Sequence, residues 1–300
     1  MQITVLRGGP SAEREISLIS GAAVADGLRQ AGHVVFESDI SPTELSGLDH
    51  PADVIFPVLH GAFGESGELQ EILEQRRLRF VGSGSRASRI GIDKIATKEV
   101  WKASGLPTPA WNTVRRGETY PTIDGPCVVK AIGSGSSIDV FVCKAPAEAP
   151  ANASAALAQV LARHDRALVE QFINGIELTV GILEDRALAP IRIVPKSEFF
   201  DFEAKYKSSE TEHRFETGLP SDVVKLVQDL AFDAHNVVGC RDLSRVDVIV
   251  DNQNRPYLIE INTLPGFTPK SLLPEAAAHA GIPFAALVDR LARGALAREQ

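Results

Sequence analysis

Cysteine is scarce in this chain and poorly spaced for chemistry. The 300 residues carry only Cys127, Cys143 and Cys240. Their odd number, wide separation and lack of metal-ligand spacing exclude a disulfide framework or a zinc cluster, and leave reduced structural thiols of a cytosolic protein. Long apolar runs are missing too, and none approaches the length of a membrane span. The opening MQITVLRGG enters a strand at once, without the basic–apolar–small order of a cleavable leader. Positive charge is in deficit: 31 Lys and Arg stand against 39 Asp and Glu, a formal charge of −8. That balance argues against a general nucleic-acid binder, while a local basic pocket for phosphates stays open. There is no internal repeat or low-complexity tract. What is present, 44% hydrophobic and 23% charged residues, is ordinary for a soluble globular protein, and the length predicts two or three subdomains.

The order of segments predicts an α/β fold. Ile3 to Leu6 is a short strand, followed by Arg7-Gly8-Gly9-Pro10-Ser11 and a helix from about Ser11 to Gly32. That helix carries Ile16, Ile19, Ala23, Val24 and Leu28 at helical spacing, so strand, glycine turn and helix open a parallel unit. Strands at 33–36 and 54–58 follow. His60 to Glu65 then falls at a strand's carboxyl end, where open α/β sheets bind ligands. A helix at 67–76 and a short strand near Phe80 complete a first unit. Residues 88–104 read as one helix with Asp93, Lys94, Lys98 and Trp101; its lysines fit a solvated connector. Beyond it, Cys127 to Lys130, a Gly/Ser loop at 133–137 and Val140 to Cys143 suggest a flap. Such a loop can wrap phosphate oxygens with backbone N–H groups, or be an ordinary hairpin turn. After a helix at 151–164, strands at 167–172 and 176–183 carry Glu170 and Glu177. These could hold a ribose beside a flat ring, or be edge-strand charges. The polar stretch 197–218 reads as a lid. Helices at 221–238, 274–280 and 283–297 complete the pattern.

The segment Cys240 to Leu272 is the most informative. Val246 to Val250 and Tyr257 to Ile261 flank a linker rich in turn formers, which predicts an antiparallel hairpin. Alternation puts Arg245 and Asp247 on one face, and Glu260 and Asn262 on one face with Ile259 and Ile261 opposed. Three oxygen-bearing side chains and an arginine thus converge on an apolar hairpin, where isolated charge is costly. Magnesium with phosphate oxygens suits that set; a surface hairpin with solvated charges also suits it.

Eight stretches, taken in order, resemble D-alanine–D-alanine ligases of the ATP-grasp superfamily across essentially the whole chain. They are GGPSAEREIS (8–17), HGAFGESGELQ (60–70), GIDKIATK (91–98), CVVKAIGSGSSI (127–138), LVEQFINGIELTV (168–180), FFDFEAKY (199–206), GCRDLSRVDVIVD (239–251) and IEINTLPGFTPKSLLP (259–274). The resemblance implies an α/β ATP-grasp fold preceded by a parallel α/β domain, with units at 1–90, 91–173 and 174–300. It implies that ATP drives the joining of two D-alanines for peptidoglycan, through an acyl phosphate. Lys94, Lys130 and, from the lid, Lys205 would meet phosphates. Glu170, Gln171, Phe172, Ile173 and Glu177 would bind the nucleoside. Asp247, Glu260 and Asn262 would hold two magnesium ions, for which manganese could substitute. Arg245 and the Gly266 N–H would stabilise the oxyanion. Glu13 would fix the first D-alanine's ammonium near His60, and Ser271 and Leu272 the second one's carboxylate. Tyr206 would bond Ser136, which meets Glu13, and this tyrosine favours a dipeptide over a D-lactate product. A cytoplasmic homodimer without nucleic-acid or membrane partners is also implied.

Three positions depart from the family pattern. Asp139 replaces a flap glycine, where it would repel a triphosphate unless it turned outward or paired with a cation, and where a positive φ would strain it. Ala131 replaces a proline, which would loosen the strand exit. Ser66 replaces an aspartate near the first substrate. Two alternatives follow: a different ATP-grasp carboxylate–amine ligase, or a nucleotide-binding relative without turnover.

Overall fold

The computed structural model describes residues 1–118, 125–133, 139–144, 149–194 and 212–298. Strands β1 (Gln2–Arg7), β2 (Val34–Asp39) and β3 (Val54–Pro57) form a parallel sheet in the order β2-β1-β3. Phe80 adds a parallel bridge to Ile55. Ile3, Val5 and Leu6 are all buried, as a central parallel strand covered on both faces requires.

Helix α1 (Arg14–Gln30) joins β1 to β2 and starts three residues later than the sequence suggested. Ser11 is spent on the preceding turn: its carbonyl accepts from Arg14 N–H at 3.1 Å and its Oγ from Glu13 N–H at 3.2 Å. The buried stripe also differs. Ser17, Ser20, Gly21, Val24, Ala25 and Leu28 face inward, while Ile16 and Ile19 are 47% and 61% exposed. The cause is a close neighbour. α1 packs on the last helix, α9 (Phe284–Ala297), so tightly that a Cβ on Gly27 would lie 3.0 Å from Val288 Cγ2. Small residues permit that approach, and the isoleucines are turned out.

After β3 come α2 (Ala62–Glu65), α3 (Glu68–Gln75), α4 (Ser85–Ile92) and α5 (Lys94–Ala103). The single helix expected over 88–104 is therefore two. Asp93 is extended at the break and its carboxylate accepts from Ile95 N–H at 2.9 Å and Ala96 N–H at 3.0 Å, which makes it an N-cap.

A second sheet, β4-β7-β5-β6, is antiparallel throughout: β4 (Trp111–Arg115), β5 (Cys127–Ala131), β6 (Val140–Cys143) and β7 (Arg166–Gln171). Helix α6 (Ala149–Arg163) covers one face, with Ala153, Ala156, Leu157 and Val160 packed on Val114, Val129, Ala167 and Val169.

The third and largest sheet runs β11-β10-β8-β12-β13, with β9 (Arg186–Ala187) paired to β8. Its strands are β8 (Gly175–Leu183), β10 (Ile191–Val194), β11 (Glu212–Arg214), β12 (Leu243–Asp251) and β13 (Pro256–Asn262). Leu178, Val180, Val246, Val248 and Leu258 face helix α7 (Ser221–Val238). Trp101 of α5 is fully buried in the same core and donates Nε1–H to the Ala234 carbonyl at 3.4 Å. Helix α8 (Leu272–His279) and α9 then return to the first sheet, where Leu273, Leu287 and Leu291 share a core with Val24, Leu28 and Phe56.

The hairpin β12–β13 is antiparallel as expected, with a regular register except at one point. Asp247 pairs with Glu260 but Val248 pairs with Leu258, so Ile259 is the extra residue of a β-bulge. Ile261 and Leu258 stay in the core, whereas Ile259 joins Glu260 on the opposite, cavity side rather than opposing it.

Beneath this sheet lies a titratable group with consequences for stability. His235 of α7 is buried, and its Nδ1 meets Ser244 Oγ at 2.7 Å. Burial pushes the imidazole pKa from 6.5 down to about 4. The unfolded chain therefore takes up a proton first as pH falls. Stability is lost progressively from about pH 6.5 to about pH 4, on the order of 3 kcal/mol. Denaturant unfolding of wild type and His235→Gln across that range is expected to show their stability difference shifting toward the variant as pH drops; a constant difference would contradict the assignment.

Candidate active site

The facing sides of the second and third sheets bound a cavity of about 370 Å³. Val128 and Lys130 of β5 and Val140 and Val142 of β6 form one wall; Asp247, Ile249, Ile259 and Glu260 form the opposite one. Residues 170–177, running from β7 into β8, close the side between them. Period-two alternation produces this arrangement. β12 buries Val246, Val248 and Val250 against α7, so Arg245, Asp247 and Ile249 must project from the other face. Lys94, Lys130, Glu170, Gln171, Phe172, Ile173 and Glu177 all line this one cavity, as do Asp247 and Glu260.

Glu170 is only 2% exposed, and two lysines account for its charge. Lys130 Nζ donates to Glu170 Oε1 at 2.6 Å, and Lys98 Nζ lies 2.6 Å from Oε2. Burial works to raise the carboxyl pKa, but Lys130 and Lys98 outweigh it and hold Glu170 below the usual carboxylate value. Burial draws the Lys98 ammonium below its ordinary value, against the opposing pull of Glu170.

On the facing wall, Arg245 grips Asp247 with two bonds, Nε to Oδ1 at 3.0 Å and Nη2 to Oδ2 at 2.9 Å. Thr179 Oγ1 adds a third to Oδ1 at 2.6 Å. Burial tends to lower the Arg245 pKa, yet Asp247, Glu260 and Glu177 raise it above the ordinary value, so the guanidinium is a permanent cation. Its Nη2 also lies 3.9 Å from Glu260, whose other oxygen is 3.7 Å from Lys94 Nζ. Arg245 is register-paired with Asn262, and the buried Asn262 Nδ2 has no partner among the described residues. Two carboxylates and one amide, all hard donors, make an incomplete set. That fits magnesium, which takes few protein ligands and completes its shell with phosphates and water. Among the described residues no three His, Cys, Asp or Glu side chains form a full cage.

The residues expected to hold amino-acid substrates lie elsewhere, at loops of the first sheet. His60 is 7% exposed with Nε2 unpartnered among the described residues, and its Nδ1 is 3.6 Å from Glu65 Oε1. Gly61 has φ +79°, and a Cβ there would lie 2.5 Å from Ser11 Cβ, so the loop carrying Glu13 touches the loop carrying His60. Buried Ser17 ties them further: its Oγ accepts from Gly8 N–H at 2.9 Å and donates to the Val58 carbonyl at 2.6 Å. The Gly266–Leu272 segment is anchored beside them through Phe267, packed edge-on to Phe56 of β3 at 5.8 Å. Ser271 starts α8 and its Oγ accepts from Thr268 N–H at 3.0 Å; Leu272 packs on the core. Glu13, His60, Arg245, Asn262, Gly266, Ser271 and Leu272 do not line the cavity itself. Ser136, Lys205, Tyr206 and most of the 197–218 stretch lie outside the described residues.

Two departures from the family pattern turn out to be linked. Asp139 has φ +57°, and its carboxylate points away from the cavity to Arg163 at 2.5 Å and His164 at 2.9 Å. Ala131 does not loosen the strand exit. Its N–H donates to the Asp139 carbonyl at 3.1 Å, a bond that proline cannot make. The base of the flap is thereby closed.

Lys98, which fits a solvated connector by sequence, is only 1% exposed. A signal existed: it stands three residues from Ile95 and three from Trp101, on the buried stripe of α5. Thr179, Arg192 and Lys144 carried no such signal, although the last two line the cavity.

Comparison with known proteins agrees with this geometry. A family model described as D-ala D-ala ligase C-terminus matches residues 100–293, and one described as D-ala D-ala ligase N-terminus matches residues 37–83. The chain is 43% identical to the D-alanine–D-alanine ligase of Geobacter sulfurreducens, over 97% of this chain and 92% of that protein. It is 41% identical to that of Gluconobacter oxydans, over 99% and 100%. The crystal structure of D-alanine–D-alanine ligase from Bacillus anthracis superposes with a TM-score of 0.85 at 29% identity, covering 99% of this chain and 97% of that one. That of the Bacillus anthracis ligase complexed with ATP gives 0.83 at 27% identity, covering 99% and 97%. The fold is that of the ATP-grasp enzymes, and the chain belongs to the D-alanine–D-alanine ligase family.

Proposed function

We propose that the cavity between the second and third sheets is the ATP site of an enzyme that joins two D-alanines into D-alanyl-D-alanine for peptidoglycan synthesis. The observation that carries this reading is the convergence of seven nucleotide-binding candidates and two acidic metal candidates on one cavity. In the reaction a carboxylate oxygen of the first D-alanine attacks the γ-phosphorus of ATP, and ADP leaves. The acyl phosphate formed is attacked at its carbonyl carbon by the amine of the second D-alanine. The tetrahedral adduct then expels phosphate, whose bridging oxygen came from the first carboxylate.

Phosphoryl transfer requires positioning and charge neutralisation more than covalent help. Lys94 and Lys130 serve the phosphates, and Gln171, Phe172 and Ile173 meet the base beside Glu170, with Glu177 on the ribose. Asp247, Glu260 and Asn262 would hold magnesium, which would neutralise phosphate charge. Arg245, already a fixed cation, meets the developing oxyanion with the Gly266 N–H. Glu13 and His60 orient the first D-alanine, and Ser271 and Leu272 the carboxylate of the second. Lys205, Tyr206 and Ser136 complete closure over the acyl phosphate, which water would destroy. The working units are 1–90, 91–173 and 174–300, with α9 returning to the first. A homodimer acting in the cytoplasm fits the same reading; no helix among the described residues is long and apolar enough to cross a membrane.

Phosphate release from ATP is expected to rise with D-alanine and much less with L-alanine, D-lactate or D-serine; no stimulation by D-alanine would overturn the assignment. Arg245→Ala is expected to lower kcat by about 10²–10³-fold, the usual cost of an oxyanion donor; an unchanged kcat would remove Arg245 from that role. Because the Asp139 carboxylate pairs with Arg163 and His164 outside the cavity, Asp139→Gly is expected to shift the KM for ATP by less than about threefold, well under the roughly tenfold that about 1.4 kcal/mol of binding energy would give. A large gain in turnover would instead support a relative silenced by that residue.

A further inference from the structure

The Lys98 ammonium meets three groups from two parts of the chain. Glu170 Oε2 of β7 lies at 2.6 Å, Thr108 Oγ1 at 2.5 Å and the Pro109 carbonyl at 3.3 Å. Thr108 in turn donates to the Leu258 carbonyl of β13 at 2.8 Å, two residues before Glu260. Lys98 therefore ties the second sheet, which carries Glu170 and Lys130, to the strand that carries the acidic wall opposite. It is buried and does not line the cavity.

Its effect on the cavity is through charge. Glu170 is matched by two lysines, so the buried triad keeps one net positive charge. Lys130 is the member of that triad whose cation lines the cavity. Without Lys98, Glu170 would cancel Lys130, and the pair would present no net charge to the phosphates.

We propose that Lys98 is a positioning residue for the nucleotide: it neutralises Glu170 so that Lys130 is held in place while its charge remains available to the phosphates. This rests on the ATP reading of the cavity. A residue that only maintained packing would affect every ligand of the cavity alike. One that sets charge acts on phosphates and spares the nucleoside.

The test is equilibrium binding of adenosine, ADP and ATP to wild type and Lys98→Met, which keeps the length of the side chain and removes the cation. ADP and ATP are expected to weaken about tenfold or more, the scale of one unit charge lost from a partly buried site, while adenosine changes less than about twofold. Equal weakening of all three ligands, or no change in any, would overturn the proposal. Lys98→Gln, which keeps a hydrogen-bond donor for Thr108, is expected to show the same split and serves if the methionine variant does not fold. If wild type itself bound none of the three, the ATP reading would fail instead, and the two failures are thereby distinguishable.

Discussion

A carboxylate with 2% of its surface exposed stays ionised only if cations meet it, and Glu170 meets two. That constraint reaches through much of the molecule. It fixes Lys130 of β5 against β7, sets the depth of α5 through Lys98, and reaches β13 through Thr108. Removing either lysine would leave Glu170 with a single cation and take the ion-pair partner from one of its two oxygens. The second and third sheets are joined at this point by polar contacts, whereas α5 meets α7 through the apolar burial of Trp101.

The opposite wall follows from strand alternation with one deliberate irregularity. β12 sends valines to the core and Asp247 and Ile249 to the cavity without interruption. β13 could not do the same with Ile259, Glu260 and Ile261 in regular alternation and still present both an apolar surface and a carboxylate to the cavity. The bulge resolves this, keeping Leu258 and Ile261 in the core while Ile259 and Glu260 share the cavity side. An apolar floor for a flat ring and an acidic edge for metal and phosphates thus arise from neighbouring residues.

Much of this was legible in the residues. The hairpin, helix α7 and the strands bearing Glu170 and Glu177 followed from periodicity and turn formers, because their local preference agrees with their tertiary environment. The exceptions have physical causes. Ile16 and Ile19 lie outward because α1 meets α9 through small residues, a packing partner more than 250 positions away in the chain. Asp93 divides a helix because its side chain caps the next one. The linkage of Ala131 and Asp139 was invisible while each was judged alone. Only the folded register shows that the alanine N–H and the aspartate carbonyl close the same turn, with Arg163 and His164 receiving the carboxylate. Lys98 departs from the usual solvated lysine because it stands between Ile95 and Trp101 on the buried stripe of α5.

The central step of the proposed reaction turns a carboxylate into an acyl phosphate before the amide forms. The most direct measurement uses D-alanine labelled with ¹⁸O in both carboxylate oxygens, with mass analysis of both products of ATP-driven turnover. Phosphate carrying one ¹⁸O, and D-alanyl-D-alanine retaining the other in its amide carbonyl, is the expected result. Unlabelled phosphate accompanying dipeptide formation would contradict it.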